Sequence, residues 1–229
     1  MWRNSITRAE GFVEVIETPD GRRYYRGEGG RLFVSVTTAL GRVFRYGGWA
    51  GFDPRSPVVL TARRRGQAVH RACEILARGE EIQPGSIHLS IAPYVDQFRD
   101  FKRSTGFRAT GTELRVCSSI YGFAGRLDLV GEWPPYDAGS GGLLDVKTYD
   151  DVWLAEPQVA AYEQGYRETM GEWVRPLRRG TLLLTSGTPD EWRLRPLEEA
   201  DGFTMFLSAL NCFVYADRHG RLAALGEAS

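Results

Sequence analysis

Lysine is nearly missing from this 229-residue chain: its 29 basic residues are 27 arginines and only two lysines, Lys102 and Lys147. Cysteine is scarce as well. Cys73, Cys117 and Cys212 are odd in number, far apart and never arranged as CxxC, which argues against a disulfide framework, a zinc module or an iron–sulfur cluster. Buried free thiols are the expectation. No apolar run approaches the roughly 20 residues that span a bilayer, and Met1-Trp2-Arg3-Asn4-Ser5 lacks the apolar stretch of a signal peptide, so a soluble cytoplasmic protein with no membrane partner is expected. Excess charge of either sign is also missing. The net charge is zero and the pI about 6.8, so any affinity for a polyanion must come from a local patch.

With 42% hydrophobic and 12% aromatic residues and no internal repeat, the chain can bury a sizeable core as one mixed α/β domain over residues 1–229. Residues 12–16 and 22–26 around Pro19-Asp20-Gly21 predict a β-hairpin, followed by a strand at 32–36 and a short helix from Thr37 to near Phe44. Gly47, Gly48, Gly51 and Pro54 mark a loop. Residues 1–55 thus form an N-terminal unit, 56–216 the main body and 217–229 a loosely held tail. In the main body, apolar spacing predicts helices over 58–78 and 91–104, and strands follow at 111–117, 123–130 and 143–148. Ser118 to Gly122 is a hairpin-length connection, and Pro134 to Gly142 a Pro- and Gly-rich loop. A helix over 157–170, strands at 180–185 and 191–195 around Gly187-Thr188-Pro189-Asp190, and a helix over 198–215 complete the order. A central mixed sheet flanked by helices is the expected packing.

Lys147 stands in Gly142-Leu143-Leu144-Asp145-Val146-Lys147-Thr148. Period two on a strand projects Asp145 and Lys147 from one face, and a compact ammonium can approach one oxygen as a point charge where a planar guanidinium cannot. That pair suggests chemistry on phosphate. An acid two residues before a lysine is expected about once by chance at this length, and Asp100-Phe101-Lys102 is such a match. There the apolar positions 94, 95, 98 and 101 follow helical spacing, on which residues two apart do not face each other.

Asp128 alternates with Leu127 and Leu129, so the acid points away from the leucines. Taken alone it reads as a polar residue on a solvated strand face, but on a strand neighbouring Asp145 the two carboxylates can converge on one cation of the Mg²⁺ or Mn²⁺ type. His70 lies on the first long helix beside its apolar stripe; an imidazole there shifts preference toward Mn²⁺, with Glu74 one turn on to orient the ring. Gln158, Tyr162 and Tyr166 fall on one helix face, where Gln158 can bond a phosphate or position Lys147 and Tyr162 can contact backbone or base. Arg63-Arg64-Arg65 is the one clear basic run, and by itself a solvated helix face.

Together, His70, Asp128, Asp145-Val146-Lys147 and Gln158-Val159-Ala160-Ala161-Tyr162 resemble the ordered motifs GxxxH, GxxDxV, (D/E)xK and QxxxY of the PD-(D/E)XK nuclease superfamily, in its RecB-like exonuclease branch. The resemblance spans residues 60 to 170. Ser35-Val36-Thr37-Thr38 is similar to a segment preceding it in phage and mitochondrial genome-maintenance members. The resemblance implies a restriction-endonuclease-like αβββαβ core and Mg²⁺- or Mn²⁺-dependent hydrolysis of DNA ends, foremost single-stranded, in replication, recombination or repair. A structure- or sequence-specific endonuclease and a non-catalytic DNA-binding module are the alternatives. By position, it implies His70, Asp128, Asp145 and the Val146 carbonyl as metal ligands and Lys147 as catalytic. Gln158, Tyr162, Arg63, Arg64, Arg65 and Arg126 would meet substrate, with Glu74 and Glu113 behind them. No Walker A motif is present, so no nucleotide is expected, and a helicase or single-strand-binding protein would be a separate chain in a bacterial or phage-infected cytoplasm.

Overall fold

Every expected strand and helix has a counterpart in the computed structural model, which describes residues 12–44, 56–83, 85–132, 141–149, 153–171, 177–186 and 192–221. Met1 to Ser5, the Gly47 to Pro54 loop, most of the Pro134 to Gly142 loop, the Gly187 to Asp190 connection, Glu191 and the last eight residues lie outside them. The N-terminal hairpin is β1 (Phe12–Glu17) and β2 (Arg23–Gly27), followed by β3 (Leu32–Ser35) and α1 (Val36–Val43). Then come α2 (Pro57–Ala77) and α3 (Ala92–Thr105), the strands β4 (Arg108–Ser118), β5 (Phe123–Glu132) and β6 (Gly141–Lys147), α4 (Ala155–Met170), β7 (Leu177–Leu183), β8 (Arg193–Pro196) and α5 (Gly202–Arg218). From α3 onward the order is αβββαβ.

All eight strands belong to one mixed sheet, and β5 is its hub. One edge of β5 pairs antiparallel with β4 along its whole length. The other edge is divided. Its first residues run parallel to β3 through Val34↔Phe123 and Ser35↔Ala124, while its last four run antiparallel to β6 from Leu129↔Leu144 to Glu132↔Gly141. Between those partners, Gly125 to Asp128 pair with neither β3 nor β6, and the sheet opens. β6 continues parallel to β7, which carries β8 antiparallel at the far edge.

Helices cover both faces. Val36 and Leu40 of α1, Val159 of α4 and Phe206 and Phe213 of α5 pack with Leu127 and Leu143 on one face. Val69 and Cys73 of α2 and Phe98 and Phe101 of α3 pack with Leu144, Val146 and Leu182 on the other. Local chemistry sets the helix ends: Ser56 caps α2 by accepting from the Val59 amide at 3.3 Å, ahead of Pro57 at the first helical position. The ammonium of Lys102 donates to the Leu76 carbonyl near the other end of α2. The second lysine does lie on a helix, but it is half-buried against the end of α2 rather than on the solvated face that its spacing led one to expect.

Some boundaries move. α5 starts at Gly202 rather than Glu198 because the preceding segment is held along β7: the Leu197 amide donates to the Arg179 carbonyl at 3.1 Å, and Arg179 donates to the Glu199 carbonyl at 3.0 Å. Of the three thiols expected to be buried, only Cys73 is; Cys117 is half-buried and Cys212 is exposed on the outer face of α5.

Gly125 sits at the opening of the sheet, directly under Tyr162. A Cβ there would lie 2.4 Å from Tyr162 Cε1, so only glycine lets the ring rest on the strand. Gly125→Ala is therefore expected to lower stability by about 1–3 kcal/mol, and by less in a Tyr162→Leu background. Denaturant unfolding measures both, and wild-type stability in the single variant would contradict this packing.

Candidate active site

Asp128, Asp145 and Glu113 come together through strand register. The last β5–β6 pair, Leu129↔Leu144, places Asp128 opposite Asp145 at the point where the ladder stops. Pairs Thr112↔Leu129 and Leu114↔Leu127 likewise place Glu113 opposite Asp128 on β4. Three acids thus stand in a row across neighbouring strands. Glu113 holds a left-handed backbone, φ 52°, the one such non-glycine conformation among the described residues.

Each acid has its own partners. Asp128 Oδ2 accepts from the Val146 amide at 2.8 Å, taking the place of a strand carbonyl where β6 parts from β5, and Oδ1 lies 3.4 Å from His70 Nδ1. Asp145 Oδ2 is 2.7 Å from Lys147 Nζ, and its Oδ1 accepts from Gln158 Nε2 at 2.8 Å. Gln158 completes a ring by accepting from Lys147 Nζ at 3.3 Å, while its amide nitrogen lies 3.3 Å from the Tyr162 hydroxyl. Glu113 Oε2 is 2.5 Å from Arg126 Nε.

Burial sets the protonation of this group. It lowers the pKa of His70, but the Asp128 carboxylate beside the ring outweighs it and pushes the value up to about 9. Asp128 is desolvated too, yet His70, Lys147 and the Val146 amide hold it below the usual carboxylate range. Asp145 moves the other way: burial raises it, and the pull of Lys147 is opposed by repulsion from Asp128. Glu113 is raised by burial and by Asp128. Burial would strip the proton from Lys147, but Asp145 keeps it well above the lysine range.

These groups open on a cleft of ≈ 800 Å³ between α2 and the end of β6, lined by His70, Glu113, Arg126, Val146 and Lys147 and by Arg63 and Arg65. Three expected substrate contacts fall elsewhere, Gln158 among them, engaged by Asp145, Lys147 and Tyr162 outside the cleft lining. Arg64 is exposed outside the cleft lining, the solvated reading of the basic run, and Tyr162 is buried against Gly125. Glu74 was expected to orient His70; it pairs instead with Arg71 at 2.5 Å and with Arg78, and Asp128 takes the imidazole.

The donor chemistry fits a divalent cation. One ligand atom each from His70, Glu113 and Asp128 lie within 4.8 Å of one another, two carboxylates and an imidazole, with His70 and Glu113 lining the cleft. Asp145, expected as a ligand, is engaged by Lys147 and Gln158 at this point. Glu113 was legible in principle, because a hairpin turning through residues 118–123 fixes it opposite Asp128. Arg23, Arg71 and Tyr149 also line the cleft and carry no motif that marks them.

No protein-family model matches the sequence, and no curated protein does. Solved structures similar to the chain include a protein from Eubacterium rectale described as a "Putative exonuclease", with TM-score 0.49 and 14% identity over 82% of both chains. LHK-Exo in complex with dAMP gives 0.41 and 14%, covering 84% of this chain and 91% of that one. The alkaline exonuclease LHK-Exo from Laribacter hongkongensis gives 0.38 and 13% at the same coverage. Likenesses of this size assign no activity, and function rests on the site.

The His70 pKa lies above its ordinary 6.5, so the proton on His70 stabilises the metal-free fold; this contribution is complete below about 6.5 and is lost as pH rises through about 9. Thermal unfolding in chelator should show the wild-type midpoint falling across that window relative to His70→Asn. Parallel pH profiles for the two proteins would remove the ion pair from the account.

Proposed function

We propose that this chain is a divalent-metal-dependent deoxyribonuclease that hydrolyses phosphodiester bonds at DNA ends, acting foremost on single strands. One observation carries the reading: His70 and Glu113, whose donors form a metal-fit cluster with Asp128, line an arginine-lined cleft together with Lys147, a half-buried lysine kept charged by Asp145. Asp145, opposite Asp128 in register, and the Val146 carbonyl are the further ligands that β6 can offer. A cation bound there would supply Lewis-acid polarisation of the phosphate and lower the pKa of the attacking water.

The chain's own side chains do the rest. Lys147 presents a fixed positive charge to the phosphate oxygens, where charge accumulates as phosphorus becomes five-coordinate. Gln158 and Asp145 hold the ammonium from two sides, and Tyr162 supports Gln158 from beneath, so neither polar side chain of that helix needs to touch DNA. Arg63, Arg65 and Arg126 are placed along the cleft for backbone phosphates. The single-strand preference draws support from two further lining residues, Val58 on α2 and Tyr149 just after β6, which are 72% and 51% exposed. Unstacked bases can cover such a surface; the bases of a duplex are already stacked.

Asp145→Asn and Lys147→Met are each expected to reduce Mg²⁺- or Mn²⁺-dependent degradation of end-labelled oligonucleotides by about 10²–10³-fold or more, with thermal unfolding still cooperative. Full activity in either purified variant would refute the assignment. Circular single-stranded DNA should survive where the linear form is degraded; its cleavage would make the enzyme an endonuclease.

A further inference from the structure

Five arginines line the cleft, and three of them are neutralised by carboxylates of this same chain. Arg23 pairs with Glu17 at 2.6 Å, Arg71 with Glu74 at 2.5 Å and Arg126 with Glu113 at 2.5 Å. Their pull on a polyanion is correspondingly reduced. Of the three acids, Glu113 alone also belongs to the donor cluster with His70 and Asp128.

The two ends of that third pair differ in freedom. Glu113 is rooted: its side chain is 15% exposed, its backbone holds the left-handed conformation, and strand pairs fix the residues on either side of it. Arg126 is 56% exposed and reaches the carboxylate from the cleft. A divalent cation and a guanidinium seek the same desolvated carboxylate and repel each other, so a cation drawn to Glu113 weakens the hold on Arg126. A planar guanidinium released at a cleft wall matches a phosphate as well as it matched the carboxylate.

We propose that Arg126 is shared between Glu113 and the substrate, pairing with Glu113 in the cation-free protein and passing to a phosphate of the nucleic acid when a divalent cation occupies the His70–Glu113–Asp128 cluster. Cation and nucleic acid then bind cooperatively through one side chain. The identity of the polyanion rests on the nuclease reading above; the competition for Glu113 does not. Coupling between two ligands is reciprocal, so it can be measured from either side.

Two measurements on the full chain test it. Calorimetry with Mn²⁺ alone, in the absence of DNA, is expected to show about fivefold tighter binding in Arg126→Ala than in wild type, because the competing charge is gone. Weaker Mn²⁺ binding in that variant would make Arg126 a clamp that positions Glu113, and would overturn the sharing. Fluorescence anisotropy of a single-stranded oligonucleotide, read in a Lys147→Met background to suppress cleavage, is expected to show Mn²⁺ tightening binding about tenfold over chelator. Adding Arg126→Ala should bring that factor close to one, and adding Glu113→Gln should tighten binding in chelator. A Mn²⁺ effect undiminished by Arg126→Ala would also overturn the proposal. If wild type neither binds nor cleaves DNA with Mn²⁺, the nuclease reading fails, while the DNA-free calorimetry still decides whether Arg126 competes for Glu113.

Discussion

A single hydrogen bond, from the Val146 amide to the Asp128 carboxylate at 2.8 Å, sits where the sheet changes from a closed ladder into a cleft. β5 cannot keep two partners along one edge, and β6 leaves it after Leu144. The amide of Val146 thereby loses its strand acceptor in a buried place, where an unmade bond costs about 1–3 kcal/mol. Asp128 supplies the missing acceptor with one oxygen and keeps the other for His70. The same divergence lets Lys147 line the cleft while Asp145 stays buried beside it. Backbone satisfaction and the assembly of the charged site are one structural event.

Charge balance follows from that event. Glu113, Asp128 and Asp145 are neighbours across three strands, an arrangement that repels itself unless cations intervene. Without a metal, the chain provides them: Arg126 at Glu113, the His70 proton at Asp128 and Lys147 at Asp145. Three different cationic groups thus carry what one divalent ion could partly replace. The replacement differs in kind at each acid, since His70 must lose a proton and Arg126 must find another anion, whereas Lys147 stays tied to Gln158 as well.

The sequence made much of this legible for definite physical reasons. Asp145-Val146-Lys147 could be placed on a strand and Asp100-Phe101-Lys102 on a helix because apolar spacing differs between the two, and the helical match proved to serve the α2 terminus. Element order was readable from turn residues and periodicity, and the αβββαβ core was what the resemblance implied. What escaped depends on distance across the fold. Nothing local distinguishes Arg23 of the N-terminal hairpin, which reaches the cleft only because β3 docks on β5. The same limit applied to Tyr162: helical spacing set it in line with Gln158, but its burial depends on Gly125, 37 residues earlier, leaving room for the ring. Glu74 was assigned to His70 because one helical turn separates them, yet Arg71 and Arg78 lie at equally favourable spacing and carry full charge.

The scarcity of lysine can now be read from both lysine environments. Each ammonium works in a confined place: Lys102 reaches one carbonyl at the end of α2, and Lys147 fits between a carboxylate 2.7 Å away and an amide oxygen at 3.3 Å. A guanidinium carries five donors in a rigid plane and needs acceptors spread to match, which neither place offers. At the exposed ends of Arg71, Arg78, Arg99 and Arg103 that plane has room, and there it meets carboxylates along helix faces. These four arginines thus stand where a fork can spread. The chain keeps lysine where a point charge must reach past buried neighbours, and only one of those two points faces the cleft.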